Sequence, residues 1–545
     1  MITIDLETNL SHNTIWCAGV QKHTEDTATL TFDSEPLKQM LSTADGLVGH
    51  NIIFFDQPVL KTCWQVDVDV PVWDTLVMAR LLDPTPAGGH SLKEWGKRIG
   101  IGKMDFDVED FDGGYTDEMG EYCKRDVEVT TKLYKYLKAN LKKKGFSDLS
   151  VKLEHEVADI TAQQVANGFK LDVPVATQWQ TEMSDRIDEI ASELQERFPP
   201  IVTIRVSEKT GKRLKDSVEQ FNVGSRQQIA KRLSKLGVKW KKKTPSGAPM
   251  VDESTLAEVD LPEAKLCAEY LGLVKLKGMV DSWLKYVDPE THRIHGYVNS
   301  CGAVTGRMTH NKPNLAQIPS LKIARECFTV EEGNVLVGCD ASGLELRCLA
   351  HYMNDDNYTK QILEGDIHSF NQHAAGLPER FMAKTMIYGL IYGAGDAKLG
   401  QIVGGGAKEG KKIRDTFLTQ LPALRNLIEK AKGIAQRTKR INGIDGRMIK
   451  VDEDYKVLNR LLQSCGAIVM KVAVRNCCHK LDELGIFYKL VAQVHDEVQI
   501  EARPEDAEVV GQIARQGIID AGVELNMRCP MDAEYRIGAN WSATH

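Results

Sequence analysis

The sequence has no apolar run approaching the roughly 18 residues of a membrane span, so no membrane contact is expected. It has no CxxC pair either. Its 12 cysteines are scattered, with Cys477 and Cys478 adjacent, which points to free thiols in a reducing cytoplasm and away from a zinc site or a disulfide frame. No basic segment precedes the opening MITIDLET, which reads as a strand, so no secretory signal is expected. Internal repeats, low-complexity tracts and long linkers are also missing. A composition of 42% hydrophobic and 27% charged residues excludes wholesale disorder. What is present is length: 545 residues exceed what one hydrophobic core organises, so three or four packed units are expected.

The net charge of −7 conceals an uneven distribution. Residues 1–150 hold 16 basic and 24 acidic side chains, whereas residues 205–243 hold 13 basic against 3 acidic. An acidic head and a basic stripe point to carboxylate chemistry in one domain and a polyanion held by another.

Residues 1–140 alternate β-rich runs (MITIDL, TATLTF, GLVGHNIIFF) with helical patterns at Thr75–Leu82 and 122–141. That is the pattern of an α/β domain, with Gly145 as the helix stop after LKKK. Two amphipathic helices are expected next, through VKLEHEVADITAQQVA and VATQWQTEMSDRIDEIASELQERF, the second ended by Pro199 and Pro200. Turn signals at TGK and TPSGAP break the basic stripe, and Pro262–Tyr286 reads as a further helix. Residues 354–480 read as mostly helical, and residues 481–545 as strands with one helix.

Asp5 and Glu7 stand two apart on a strand, so both carboxylates project from one face. Burying unpaired acids beside Ile2, Ile4 and Leu6 is costly, so a purely structural strand would rarely carry them. Asp56 closes NIIFFD at the edge of another apolar run, and Tyr122 and Asp126 are four apart on one side of a helix. Four carboxylates gathered in this way repel one another and call for divalent cations between them.

A second constellation lies downstream. NVLVGCDASGLELR reads as an apolar strand ending in Asp340, with Glu345 and Arg347 beyond it. KLVAQVHDEVQIEA reads as two strands around a turn bearing His495, Asp496 and Glu497. Between them Arg380, Lys384, Tyr388 and Tyr392 recur every four residues, a stripe that drifts only slowly around a helix. Its cationic head suits a triphosphate and its aromatic foot suits a base and sugar.

The ordered DxE, NxxxFD and YxxxD set, with HSLKEWG from His90, resembles the tyrosine subclass of DEDD-type proofreading 3′→5′ exonucleases. That resemblance implies that Asp5, Glu7, Asp56 and Asp126 are metal ligands and that Tyr122 orients the attacking water. The downstream segments resemble motifs A, B and C of family A DNA polymerases, the class of bacterial DNA polymerase I. GAVTGR, PNLAQIP, DASGLELRCLAH, GDIH, YGLIYGAGD, LNRLLQSCGA and the terminal GANW narrow it to the replicative polymerases of T-seven-like phages. The implied fold class is multidomain α/β and α+β, a ribonuclease H-like exonuclease domain followed by a right-hand polymerase. The implied boundaries are 1–145 for the exonuclease, 146–288 for the thumb, 289–353 and 459–545 for the palm, and 354–458 for the fingers.

The roles implied by the resemblance follow residue by residue. Asp340, the carbonyl of Ala341 and Asp496 bind two magnesium ions, and two more belong to the exonuclease site. Arg380, Lys384 and His368 hold the triphosphate, with Lys384 as proton donor to pyrophosphate. Tyr388 and Tyr392 line the nucleotide pocket, and Glu345 fills the space of a ribose 2′-hydroxyl. Arg307, Asn459, Gln463 and His495 read the primer–template minor groove by its shape. The implied activity is DNA-directed extension of a primer with deoxynucleoside triphosphates, with proofreading, in phage genome replication within the host cytoplasm. A replicative helicase is an implied partner through the tail ending in His545. One departure matters: 199–218 leaves no room for the long thumb loop with which the phage relatives capture thioredoxin, so thioredoxin is not an expected partner. A single-subunit RNA polymerase would share the metal aspartates, but would not be expected to carry Glu345 or a proofreading domain.

Overall fold

The opening run becomes the central strand of a five-stranded sheet. In the computed structural model, which describes residues 1–102, 112–207 and 209–545, β1 (Ile2–Thr8) pairs antiparallel with β2 (Ile15–Lys22). It pairs in parallel with β4 (Leu47–Gly49). β3 (Thr29–Thr31) and β5 (Val72–Asp74) complete the order β3-β2-β1-β4-β5. Alternation then sorts the side chains. Ile2, Ile4 and Leu6 enter a core with Leu37 and Leu60, while Thr3 on the other face accepts a hydrogen bond from Thr131 of the long helix Asp117–Lys144 at 2.8 Å. Gly19, opposite Asp5, permits that helix to lie close, because a Cβ there would fall 2.9 Å from Val127 and 3.0 Å from Cys123. The helix stops at Gly145 in the left-handed region, as the sequence predicts, but it begins five residues before the expected 122, capped by the Thr116 hydroxyl on Met119 N–H.

One expected strand is cut short. Of GLVGHNIIFF only Leu47–Gly49 is strand, and 51–55 turns into the helix Asp56–Trp64. Asp74 is the physical reason: its carboxylate accepts the amides of Asn51 at 2.9 Å and Ile53 at 3.3 Å, and Asn51 takes φ +67°. A local apolar run yields here to a non-local hydrogen-bond acceptor.

The described residues form two compact units. The first comprises Met1–Gly168, Gly296–Ile318 and Val330–His545, and the second Phe169–His295 with Pro319–Thr329. Within the first, Val335–Ala341 is flanked on both sides in a four-stranded antiparallel sheet. Its neighbours are Glu497–Ala502, which pairs in turn with Tyr488–Val494, and Ala533–Gly538. The helices Val457–Glu483 and Ala507–Glu524 pack on one another in the same core. Contrary to the expectation that no run approaches a membrane span, the stretch Asp454–Glu483 is long and apolar enough to cross one, but most of it is buried inside the protein as a core helix.

Four buried charges cross this unit. Lys471 of the core helix and Arg447 both contact Glu154, at 2.5 and 2.6 Å, and Arg447 also contacts Asp445 at 2.7 Å. Glu154 and Lys471 are at most 1% exposed. Removing one member of such a set strands a charge in low dielectric, at about 3–5 kcal/mol. Arg447 also explains a glycine: Gly306 of GAVTGR takes φ +77°, and a Cβ there would collide with the Arg447 guanidinium.

In the second unit Val173–Arg197 and Pro262–Tyr286 pack lengthwise, with Ile190, Leu194, Phe221, Leu233 and Leu256 in the core. The segment 199–218 is spanned by a short hairpin of Ile201–Thr203 with Ser217–Glu219. Glu208, within the basic stripe, lies outside the described residues. All 12 cysteines are free thiols.

Candidate active sites

In the first sheet Asp5 and Glu7 face the Asp117–Lys144 helix, and their carboxylates lie with the Cys123 sulfur inside a 4.8 Å cluster. Cys123 was not legible as part of this group. A hydrogen bond with Cys17, burial and the charge of Asp5 push its thiol well above the usual range, so it adds a neutral ligand atom to two carboxylates. Tyr122 and Asp126 flank it on the same helix, Asp126 buried and Tyr122 half-buried. Asp56 opens the Asp56–Trp64 helix beside β1, and its Oδ1 accepts the Leu6 amide at 3.1 Å. Burial raises its pKa to about 8, with Asp74 adding to the rise. Asp74 is a second residue that the motifs missed, because its work is to shape the loop that delivers Asp56.

The second cluster is assembled by strand register. Asp340 stands opposite Glu497 in the ladder, and the Ala341 amide donates to the Asp496 carbonyl at 2.9 Å. Asp340 and Asp496 therefore end adjacent strands on the same edge. Asp496 is carried by the two-residue turn before Glu497, where His495 takes φ +57°. Desolvation, followed by the charges of Asp496, Glu497 and Glu345, raises Asp340 to about 7. Asp496 is raised by burial and by Glu345. Such a group of acids is short of positive charge.

The helix Arg380–Ile391 supplies cations and aromatics. Burial and the charges of Arg380 and Lys384 lower His368, which ties the three together. Arg380 forms a two-pronged contact with Asp366, at 2.6 and 3.0 Å, and Asp366 caps the helix that begins at His368's neighbour Ile367. This orients the guanidinium, and GDIH was legible as a motif without revealing it. Tyr388 is raised by burial and by Glu345 and Asp496, which brings the aromatic foot to the carboxylates. Tyr392 ends the helix, and its hydroxyl donates to Glu345 at 3.0 Å, while Arg307 lies 3.8 Å from the same oxygen. Glu345 is thus held from two sides.

Arg307 and His495 line one cavity of about 90 Å³ together with His310, which burial and His495 lower to about 4. Asn459 and Gln463 lie one turn apart at the start of the Val457–Glu483 helix, outside that lining. Glu497 is engaged elsewhere: it accepts from Trp541 Nε1 at 2.6 Å, from Gln499, and meets His545 Nδ1 at 3.1 Å. Arg536 donates to the His545 carbonyl at 2.9 Å. The tail is packed on the strand that follows Asp496.

Comparison with known proteins agrees with this geometry. Residues 200–543 match the model of DNA polymerase family A. The chain is 33% identical to the DNA-directed DNA polymerases of Enterobacteria phage T3 and Escherichia phage T7, in each case over 84% of this chain and 83% of the relative. A solved structure, the POL domain of Pol1 from M. smegmatis in complex with DNA primer-template and dNTP, superposes with a TM-score of 0.82 at 20% identity. That superposition covers 99% of this chain and 95% of the other. The match over most of the chain, on a fold that brings Asp340 and Asp496 to one sheet edge, places this protein in family A of the DNA-directed DNA polymerases.

Proposed function

We propose that this polymerase extends a DNA primer with deoxynucleoside triphosphates by two-metal catalysis, and that residues 1–145 proofread the product in the 3′→5′ direction. The observation that carries the reading is the register that sets Asp340 beside Asp496, near Tyr388 and the Arg380–Ile391 helix. The donor set fits magnesium: hard carboxylate oxygens whose crowding raises Asp340 and Asp496. The chemistry magnesium supplies at such a site is acidification of a hydroxyl and neutralisation of a triphosphate. Arg380, Lys384 and His368 bind the triphosphate, and Lys384 gives a proton to the departing pyrophosphate. Tyr388 and Tyr392 hold base and sugar. Glu345, fixed by Tyr392 and Arg307, occupies the volume that a 2′-hydroxyl would need. Arg307, His495, Asn459 and Gln463 contact the minor groove.

In the first domain Asp5, Glu7, Asp56 and Asp126 are proposed to hold two further magnesium ions, with Tyr122 orienting water. The clustering of Asp5 and Glu7 and the raised pKa of Asp56 support this. The thumb, palm and fingers follow the boundaries given above, and genome replication in a phage-infected cell is the proposed setting. For the tail, the contacts to Glu497 support packing. A helicase would meet the exposed edge of His545. Strand displacement by a His545-deleted chain, with and without the cognate helicase, separates the two. Primer extension with deoxy- and ribonucleotides, with and without magnesium, tests the main reading. Equal use of both sugars would overturn it.

A further inference from the structure

A cavity of about 160 Å³ opens between segment 81–84, the end of the Asp117–Lys144 helix, the GAVTGR loop and the hairpin of Arg440–Asn442 with Met448–Lys450. Four cations line it, Lys144, Arg440, Arg447 and Lys450, against one carboxylate, Asp83. Arg447 is already neutralised by Glu154 and Asp445. Lys450 has Asp452 at 3.7 Å, but Asp452 is held more closely by Arg460, at 2.9 Å. Asp83 accepts the Thr85 amide through Oδ1. Among the described residues Lys144 and Arg440 have no ion pair and no side-chain hydrogen bond.

A basic last turn usually needs no ligand, because lysines there complement the helix carbonyls. Lys142 and Lys143 do so from the exposed side. Lys144 instead turns inward and is half-buried, where burial and the charge of Arg440 lower its ammonium pKa while Asp83 only partly opposes them. Two partly desolvated cations with no carboxylate in ion-pair contact are a standing electrostatic cost, which an anion between them would relieve. Guanidinium forks match two phosphate oxygens and lysine adds a compact charge.

We infer that Lys144, Arg440 and Lys450 form a phosphate-binding site, distinct from the triphosphate-binding stripe on the Arg380–Ile391 helix. Its position indicates a source. The wall bearing Gly306 continues into Arg307, which reaches Glu345, while Lys144 stands at the far end of the helix whose first turns carry Tyr122 and Asp126, about 27–33 Å along its axis. A phosphodiester held here would belong to a single strand between the two carboxylate clusters. That assignment of source rests on the proofreading reading, whereas the phosphate site itself does not. A free phosphate or pyrophosphate would satisfy the same donors.

Competitive acetylation of the full chain, read peptide by peptide, tests the site. A chelator keeps any degradation silent, so failure of the proofreading reading would not affect this result. Lys144 should react faster than Lys142 or Lys143. A thymidine oligonucleotide should protect it at least fivefold if the source is a strand, and millimolar phosphate or pyrophosphate should do so if the source is a free anion. Protection by neither would overturn the site. Arg440→Gln should abolish the protection and, for a strand, reduce the salt slope of single-strand binding by about 0.7, the value of one phosphate contact. Protection that survives the substitution would also overturn the proposal. Lys450→Gln, at an exposed position, repeats the test if Arg440→Gln fails to fold.

Discussion

The two carboxylate sites of this chain are built in opposite ways. In the first domain one strand supplies two acids, because Asp5 and Glu7 share a face of β1 by simple alternation. In the polymerase sheet one strand supplies Asp340 and the turn beside it supplies Asp496, and the two meet only because segments more than 150 residues apart in the chain pair in one register. The first design is robust to the rest of the fold. The second depends on it: a one-residue slip would turn Asp340 to the other face. The cost of crowding also differs. Burial is the first cause of the rise at both, but Asp56 has one neighbouring acid and Asp340 senses four.

If the sites are independent, substitution should separate them completely. Asp496→Ala should reduce extension by about a thousandfold or more while leaving 3′→5′ degradation intact. Asp5→Ala with Glu7→Ala should do the reverse. Loss of both activities in either folded variant, measured on an end-labelled primer, would break the comparison. Next in size is a sugar effect confined to the second site. If Tyr388 faces the sugar as proposed, its hydroxyl stands in for a missing 3′-hydroxyl, an interaction of about 1–3 kcal/mol. Tyr388→Phe should therefore raise discrimination against dideoxynucleotides roughly ten- to a hundredfold, read as a ratio of incorporation efficiencies in the Asp5/Glu7 double variant. An unchanged ratio would move Tyr388 away from the sugar.

A smaller effect separates burial from crowding. Asp56 has a folded pKa of about 8 against an ordinary 3.8. Between those values the folded chain holds a proton that the unfolded chain has released, so metal-free stability should fall as pH rises through that window. Asp56→Asn keeps an acceptor for the Leu6 amide and should flatten the fall. Thermal midpoints in chelator between pH 5 and 9 decide this, and parallel curves would refute it. The smallest effect concerns the tail. Trp541→Phe removes one donor from buried Glu497 and should cost about 1–3 kcal/mol in urea denaturation. No loss would mean that Gln499 and His545 suffice.

What could be read in the sequence follows the same contrast. Period-two and period-four spacings exposed Asp5 with Glu7 and the Arg380-to-Tyr392 stripe, and the Pro262–Tyr286 helix was found with its ends, because these features are local. Asp74 and Cys123 were not legible. Their roles depend on which backbone amides and which helix face arrive from elsewhere in the chain. For the same reason GLVGHNIIFF misled: nothing within the run announces that Asp74 will capture two of its amides. Asp366 and Trp541 stood inside recognised motifs, yet their partners, Arg380 and Glu497, lie 14 and 44 residues away.

The buried Glu154 determines where this chain can be divided. An engineer wanting the polymerase without its first domain would look for a seam, and there are two: Gly145, where the sequence places the domain boundary, and Gly168, where the first stretch of the first unit ends. Scission at Gly145 leaves the Asp148–Asn167 helix, and Glu154 with it, attached to the catalytic half. Scission at Gly168 removes that helix and leaves Lys471 in an apolar interior without its carboxylate partner. In any shuffling of parts the Asp148–Asn167 helix must therefore travel with the polymerase sheet.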